Sequence, residues 1–328
     1  MYKIRQENII IFPLAFNAFY YEACLDKRDI NYSKEYSLKE KLIEDLIAEI
    51  DLITIDRIIA IDMKKISSYP PRAFDRFNDA SDKNIFFYNI NNDLVKKRME
   101  EDLQVHTWYK ETICCLNTIV ESKVNELYDI FCFESYASEY KNIISDLIDC
   151  PQNGKAQTLE SSGLYSNMYV NTKKLYLDKD KYYFILYSLS ELISEKCGDY
   201  DAFVSSSKNG AILANLLGAI LNKKVIHISG VGPKFSMTFG SVNDYIKKGK
   251  KYIYVFDFIC TGTEMKITSA LVNANKAIIK CGIGIAKYKE PINNNELSSK
   301  MYSLLSLNNA GINYKIAGEQ NDIIILNK

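Results

Sequence analysis

Histidine is nearly missing from this chain: His106 and His227 are the only two in 328 residues. None of the eight cysteines is set in a Cys-x-x-Cys pair, so a zinc site would have too few ligands of the usual kind. Net charge is missing as well. The 41 basic and 41 acidic residues cancel, and nothing in that balance supports a nucleic-acid or membrane-surface partner. No apolar run approaches the length of a membrane span. Met1 to Asn8 lacks the charged-then-apolar-then-small order of a secretory signal. A cytoplasmic protein is therefore expected. Cys24, Cys114, Cys115, Cys132, Cys150, Cys197, Cys260 and Cys281 should then be reduced thiols that pack as small hydrophobes.

What is present is the balance of a globular protein, 47% hydrophobic and 25% charged, with enough apolar material for a core in each of two domains. Three stretches stand out. Residues 1–104 alternate apolar strands with amphipathic helices. Ile9 to Phe12 is a short β-branched run, and Leu38, Leu42, Ile43, Leu46, Ile47 and Ile50 make a helical stripe. Arg57 to Asp62 and Asn84 to Asn89 read as strands, Pro70-Pro71 opens a short helix through Phe74 and Phe77, and Asp93 to Glu101 is a further helix. This order predicts a small α/β domain. Residues 105–150 carry Ile113, Leu116, Ile119, Val120 and Val124 at helical spacing and are expected to form a helical connector. Pro151-Gln152-Asn153-Gly154 then marks a boundary, and 151–328 form the last domain.

Within the first stretch, a strand ending at Asp62, then Ser67-Ser68, a helix, a strand and a helix resembles the second half of a STAS domain. That resemblance implies a phosphorylation switch at Ser67 or Ser68; two serines before a proline pair are also ordinary turn formers.

The last domain carries the chemistry. Lys251 to Phe256 is a continuous apolar run, the pattern of a parallel strand covered on both faces. Asp257-Phe258-Ile259-Cys260-Thr261-Gly262-Thr263-Glu264 follows, then a helix with Ile267, Ala270, Leu271, Ala274 and Ala277 inward, then a strand from Ile278 to Ala286. A Gly/Thr loop at a helix N-terminus offers free N–H groups and the positive end of the helix dipole to an anion. Thr261 and Thr263 add hydroxyls, and Asp257 sits at the strand end, the usual ligand edge of an open α/β sheet. A plain strand-to-helix turn capped by threonine has the same spacing.

The string resembles the signature of type I phosphoribosyltransferases: an apolar strand, two acids, two apolar residues, then Thr-Thr-Gly-Gly-Thr. Aligned without a gap, Asp257 takes the place of the second acid, which in the family faces the ribose hydroxyls of phosphoribosyl pyrophosphate. Cys260, Thr261, Gly262, Thr263 and Glu264 take the 5′-phosphate loop. Phe256 stands where the family has its first acid, and Glu264 where it has its last Thr. Upstream, the strand Asp201 to Val204, the loop Ser205 to Gly210, the helix Ala211 to Leu221 and the strand Lys224 to Ile228 match the unit whose loop binds pyrophosphate. The resemblance gives that role to Ser207, Lys208, Asn209 and Gly210. Leu159 to Asn171 is similar to the hood of the orotate subfamily, with Ser162, Gly163, Ser166 and Tyr169 as the base-side residues. There Ser161 replaces a lysine and Leu164 an arginine.

The resemblance thus implies a Rossmann-like parallel sheet with a hood, Asp257 and Lys208 as catalytic residues, and Mg²⁺ carried with phosphoribosyl pyrophosphate and not on a protein metal site. It also implies a homodimer, since the orotate members pair. Orotate is an anion and would want the missing arginine and lysine donors. The connection after Ile228 offers only Lys234 before the Lys247 to Lys251 cluster. The expected function is a divergent phosphoribosyltransferase-like protein that binds phosphoribosyl pyrophosphate or a nucleotide, with a regulatory role or weak transferase activity. A protein partner would then act through the N-terminal domain. An active Mg²⁺-dependent transferase on another base, and a nucleotide-pool effector of a phage-defence system, stay open beside it.

Overall fold

The computed structural model describes residues 1–24, 32–80, 82–116, 124, 127, 135–149, 157–159, 164–166, 169–228, 245–259, 262–288, 300–307, 314–317 and 323–325. The chain divides into two units, Met1–Glu139 and Tyr140–Lys328.

In the first unit, β1 (Ile4–Gln6) folds back antiparallel on β2 (Ile9–Pro13), and α1 (Leu14–Cys24) follows at once. Next come β3 (Tyr36–Ser37), α2 (Glu40–Asp51), β4 (Ile58–Asp62) and β5 (Ile66–Ser68). A 3₁₀ helix (Ala73–Ala80) leads to β6 (Asn84–Tyr88), α3 (Asp93–Asp102), β7 (Thr107–Tyr109) and β8 (Ile113–Cys115). Six strands form one sheet in the order β1-β2-β4-β6-β8-β7, with β2, β4 and β6 parallel. The central strand β4 is buried along its whole length, so both of its faces are apolar and no alternation shows in the sequence. The α2 stripe buries Leu42, Ile43, Leu46 and Ile50. At its C-terminus, Ile50 O accepts from Ile53 N at 2.9 Å, and the buried Lys83 ammonium adds donors to Ile50 O at 2.7 Å and Asp51 O at 3.1 Å. Asn92 caps α3 by accepting from Leu94 N and Val95 N.

Two expectations fail here. Ile113 does not begin a connector helix. With Cys114 and Cys115 it forms β8, which pairs antiparallel with both β6 and β7. Ile113, Cys114, Cys115 and Leu116 are all buried, and a run of consecutive buried apolar residues suits a covered strand as well as one turn of helix. Ile119 and Val120 lie outside the described residues, while Ser135–Leu147, labelled α4, is helical. Ser67 and Ser68 lie in β5 and not in a loop. Ser67 Oγ donates to Tyr36 O at 3.2 Å, and Ser68 Oγ to Ser37 Oγ at 2.7 Å, joining the β3–β5 pair.

The second unit continues from α4 through β9 (Ile148–Asp149), β10 (Gln157–Leu159), β11 (Leu164–Ser166) and β12 (Tyr169–Val170). A 3₁₀ segment (Thr172–Leu177) leads into α5 (Lys179–Lys196), capped by Asp178. Alternating elements follow: β13 (Ala202–Ser205), α6 (Lys208–Ile220), β14 (Lys224–His227), β15 (Lys251–Ile259), α7 (Thr263–Ala274), β16 (Ile278–Tyr288) and β17 (Met301–Leu307). The last strands are β18 (Tyr314–Ala317) and β19 (Ile323–Ile325). Five strands form a parallel sheet in the order β14-β13-β15-β16-β17. A separate antiparallel sheet, β10-β11-β18-β19, joins the segment read as a hood to the end of the chain. The parallel sheet is cored by Val204, Tyr254, Phe256, Met265, Val272 and their neighbours. The α/β class with a parallel sheet is what the sequence predicts. The boundary residues Pro151 to Gly154 lie outside the described residues.

Candidate functional site

The order β14-β13-β15-β16-β17 places a topological switch between β13 and β15. From β13 the chain moves outward to β14, then returns on the other side of β13 as β15. At such a point the connections leave in opposite directions and open a crevice at the C-terminal strand ends. The residues read as pyrophosphate-binding and as ribose-facing come from these two strands.

After β13, Ser207 caps α6, its Oγ accepting from Gly210 N at 3.0 Å. The expected loop is therefore shorter than read: Lys208, Asn209 and Gly210 already form the first helical turn. The helix N-terminus thereby lies at the switch point, with its N–H groups and dipole favouring an anion, and Lys208 is exposed there. Gly210 is required by space. A Cβ there would lie 2.7 Å from Ser207 Oγ, 2.8 Å from Ser205 Oγ and 2.9 Å from Val255 O, so α6 could not start this close to β15 with a side chain at that position.

Asp257 is not at the start of a loop either. Strand β15 runs on through Phe258 and Ile259, in register with β16 as far as Lys287. The Asp257 carboxylate is held by neutral donors. Oδ2 accepts from Thr172 Oγ1 at 2.7 Å and from Asn209 Nδ2 at 3.1 Å, and Oδ1 lies 3.4 Å from Ser207 Oγ. Asn209 Nδ2 also reaches Thr172 Oγ1 at 3.1 Å, closing a triangle. Because these partners are uncharged, the negative charge stays at the crevice while the side-chain orientation is set. Beneath it, Ser206 Oγ and Tyr254 OH are 2.7 Å apart in the core, and burial above all pushes the Tyr254 phenol up. Tyr176 is likewise pushed up to about 12, by burial first and by the nearby Asp257 charge second.

Gly262 adopts φ +71°, a left-handed conformation that glycine takes without strain, and stands as the N-cap of α7. Thr263 and Glu264 are the first residues of that helix. Cys260 and Thr261 lie outside the described residues, as do Ser162, Gly163 and Lys234. Ser166 falls in β11 and Tyr169 in β12. Phe256, standing where an acid was expected, points into the core, 2% exposed.

One residue of this edge escapes a reading by spacing. Thr172 lies 85 residues before Asp257 in sequence and opens a 3₁₀ segment; its neighbour Asn171, part of the hood match, instead donates to Asp149 at 2.8 Å. Lys287 pairs in register with Ile259, its ammonium donates to Met301 O, and burial lowers its pKa. Met301 lies level with Gly282, five residues back along β16, so that bond draws the amine away from the C-terminal strand ends.

Among the described residues no group of three His, Cys, Asp or Glu side chains is placed to hold a metal ion. A single carboxylate with hydroxyl and amide neighbours does fit a Mg²⁺ ion carried on a ligand's phosphates, since that ion keeps its waters and needs one or two protein carboxylates.

At the level of sequence, no family model and no curated protein matches the chain. Solved structures do resemble it. Orotate phosphoribosyltransferase from Aeropyrum pernix is 18% identical, over 52% of this chain and 93% of that one, with a TM-score of 0.39. Adenine phosphoribosyltransferase from Thermoanaerobacter pseudethanolicus is 13% identical, over 51% and 98%, with a TM-score of 0.38. The adenine enzyme from Saccharomyces cerevisiae is 14% identical, over 51% and 99%, with a TM-score of 0.40. Likenesses at this level establish neither activity nor substrate. Among the described residues, no helix is long and apolar enough to cross a membrane.

Proposed function

We propose that the second unit binds phosphoribosyl pyrophosphate, or a nucleotide of the same phosphate and ribose chemistry, as a divergent type I phosphoribosyltransferase-like module. The observation that carries this reading is the placement of Asp257. It is fixed by Thr172 and Asn209 at the switch-point edge, between the N-termini of α6 and α7. In this reading Asp257 accepts from ribose hydroxyls. The α6 N-terminus with Lys208 faces the pyrophosphate, and the α7 N-terminus with Thr261, Gly262 and Thr263 faces the 5′-phosphate. Mg²⁺, when bound, would offset charge on the pyrophosphate. Glu264 in the first turn of α7 opposes a phosphate there, and Phe256 removes one acid; both favour binding, regulation or weak transfer over fast turnover.

The test is calorimetry of the full chain with phosphoribosyl pyrophosphate and Mg²⁺, beside an assay of pyrophosphate release with a panel of bases. Saturable binding that Thr261→Val with Thr263→Val abolishes is expected. Absence of binding rejects the assignment. Release of pyrophosphate with one base selects the active-transferase reading over the binding module.

A further inference from the structure

Cys197 and Cys281 meet inside the second unit, away from the Asp257 edge. Cys197 caps the C-terminus of α5, its N–H bonded to Ile193 O. Cys281 lies in β16 opposite Ile253 of β15, four residues before Asp257 on that strand (257 − 253), or roughly 13 Å along it. Both side chains are buried, at 3% and 4% exposure, and their Sγ atoms are 2.9 Å apart. A disulfide bond is about 2.05 Å long, so less than about 1 Å of approach separates contact from bond.

The two thiols share one hydrogen bond in which either sulfur can donate, and the Lys280 charge favours the thiolate at both. Burial opposes that charge at both sulfurs. Lys280 is fixed beside the pair, its ammonium donating to Cys197 O and Asp199 O, each at 3.0 Å. Gly198 and Asp199, next to Cys197, are exposed, so solvent begins one residue from the buried sulfur.

We propose that Cys197 and Cys281 form an oxidisable dithiol that a peroxide closes to an internal disulfide between α5 and β16. One thiol of the pair, as thiolate, attacks a peroxide oxygen, the O–O bond breaks, and hydroxide leaves with the electron pair to be protonated to water. The resulting sulfenic acid is then attacked by the other sulfur. The S–S bond forms, the S–O bond breaks, and the proton from that second thiol leaves with the oxygen as a second water. In sum, two thiols and one hydrogen peroxide give one disulfide and two waters. A small oxidant suits a pair this buried, where a bulky one would need the helix end to open.

The experiment treats the full chain with hydrogen peroxide under native conditions, alkylates it in denaturant and maps the peptides by mass spectrometry. A cross-linked peptide joining Cys197 to Cys281, two hydrogens lighter than the sum and lost on reduction, is expected. Because the bridge would close a span of 84 residues, the thermal transition of this unit should rise by roughly 10 °C. Cys197→Ala should show neither change. Peroxide treatment that leaves both thiols alkylatable, oxidises either one singly, or pairs either with another cysteine overturns the proposal. The wild-type map alone decides the matter should the variant fail to fold.

Discussion

Two glycines on β16, two residues apart and on one face of the sheet, should respond oppositely to the same substitution. At Gly282 an added Cβ would find Met301 Cγ and Phe256 Cε1 at 3.4 Å and Met265 Cε at 3.5 Å, an ordinary packing distance. At Gly284 it would lie 2.1 Å and 2.2 Å from Phe256 ring carbons and 2.5 Å from Phe256 O. Carbon atoms attract best at about 3.5–4.0 Å, so the ring would have to withdraw by more than about 1 Å. Phe256 is 2% exposed and has little room to do so, and the carbonyl belongs to the neighbouring strand. Overpacking a core costs about 1–3 kcal/mol, and a clash with backbone belongs at the upper end. Gly284→Ala should therefore lose about 3 kcal/mol, which for a unit of this size lowers its transition by roughly 6–12 °C. Gly282→Ala should stay within about 1 kcal/mol, because filling ordinary space while restricting the unfolded chain nearly cancels. Phe256→Ala alone should cost about 3–5 kcal/mol. Combined with Gly284→Ala it should cost less than the sum by about 2 kcal/mol, since the ring part of the clash is gone and the carbonyl part stays. Thermal and urea unfolding of the full chain, followed by circular dichroism, measures all four, with Phe256→Ala marking which transition belongs to this unit. A Gly284→Ala protein as stable as Gly282→Ala would refute the packing argument.

The first unit should show a pH dependence from Asp62, which is buried and accepts from Lys64 N, Asn89 Nδ2 and Tyr136 OH, each at 2.9 Å. Burial raises its pKa more than those donors lower it. A folded pKa above the unfolded one means that stability is fully present below the unfolded value, near 3.9, and is lost as pH rises through the folded value. Between those two values Asp62 should contribute a fall in stability of up to about 1.4 kcal/mol per pH unit. Wild-type stability should therefore fall across that range while Asp62→Asn lacks that component of the fall, as melting curves at each pH would show; equal pH slopes for the two would exclude Asp62 as the source. At the candidate site, Thr172→Val removes the 2.7 Å donor to Asp257 while keeping the shape of the side chain. One such bond is worth about 1 kcal/mol, so phosphoribosyl pyrophosphate affinity should fall about five-fold by calorimetry. Unchanged affinity would mean that the Asp257 orientation does not matter to the ligand.

The second unit was readable where periodicity and apolar runs coincide: β13, α6, β14, β15, α7 and β16 all lie within a few residues of their expected places. Boundaries moved where polar residues were taken as loop. Ser207 is a cap and Lys208 already helix, because an N-cap and a surface loop use the same residue types. Asp257 was read as the start of a loop because a carboxylate breaks the apolar pattern, although the ladder to β16 continues past it. In the first unit, Leu14–Cys24 gave no helical stripe because several of its faces are apolar, and α1 passed unseen. Ile113–Cys115 followed a helical spacing and became a strand, since three consecutive buried residues carry no period of their own. Thr172 reaches the site through tertiary structure alone, and local sequence holds no mark of that.

That Asp257 belongs to a strand has a consequence for how this site can change over time. Its Cα is tied on both sides by the ladder, with Phe256 opposite Gly284 and Phe258 opposite Ala286. Residues can be inserted, lost or exchanged at Cys260 and Thr261 without carrying the carboxylate along. The acid serves as a surveyor's fixed mark, while the segment beyond it is free to be re-cut for another anion. Under the proposed function, a protein arranged this way can drift in which anion it takes without moving the group that meets the ribose.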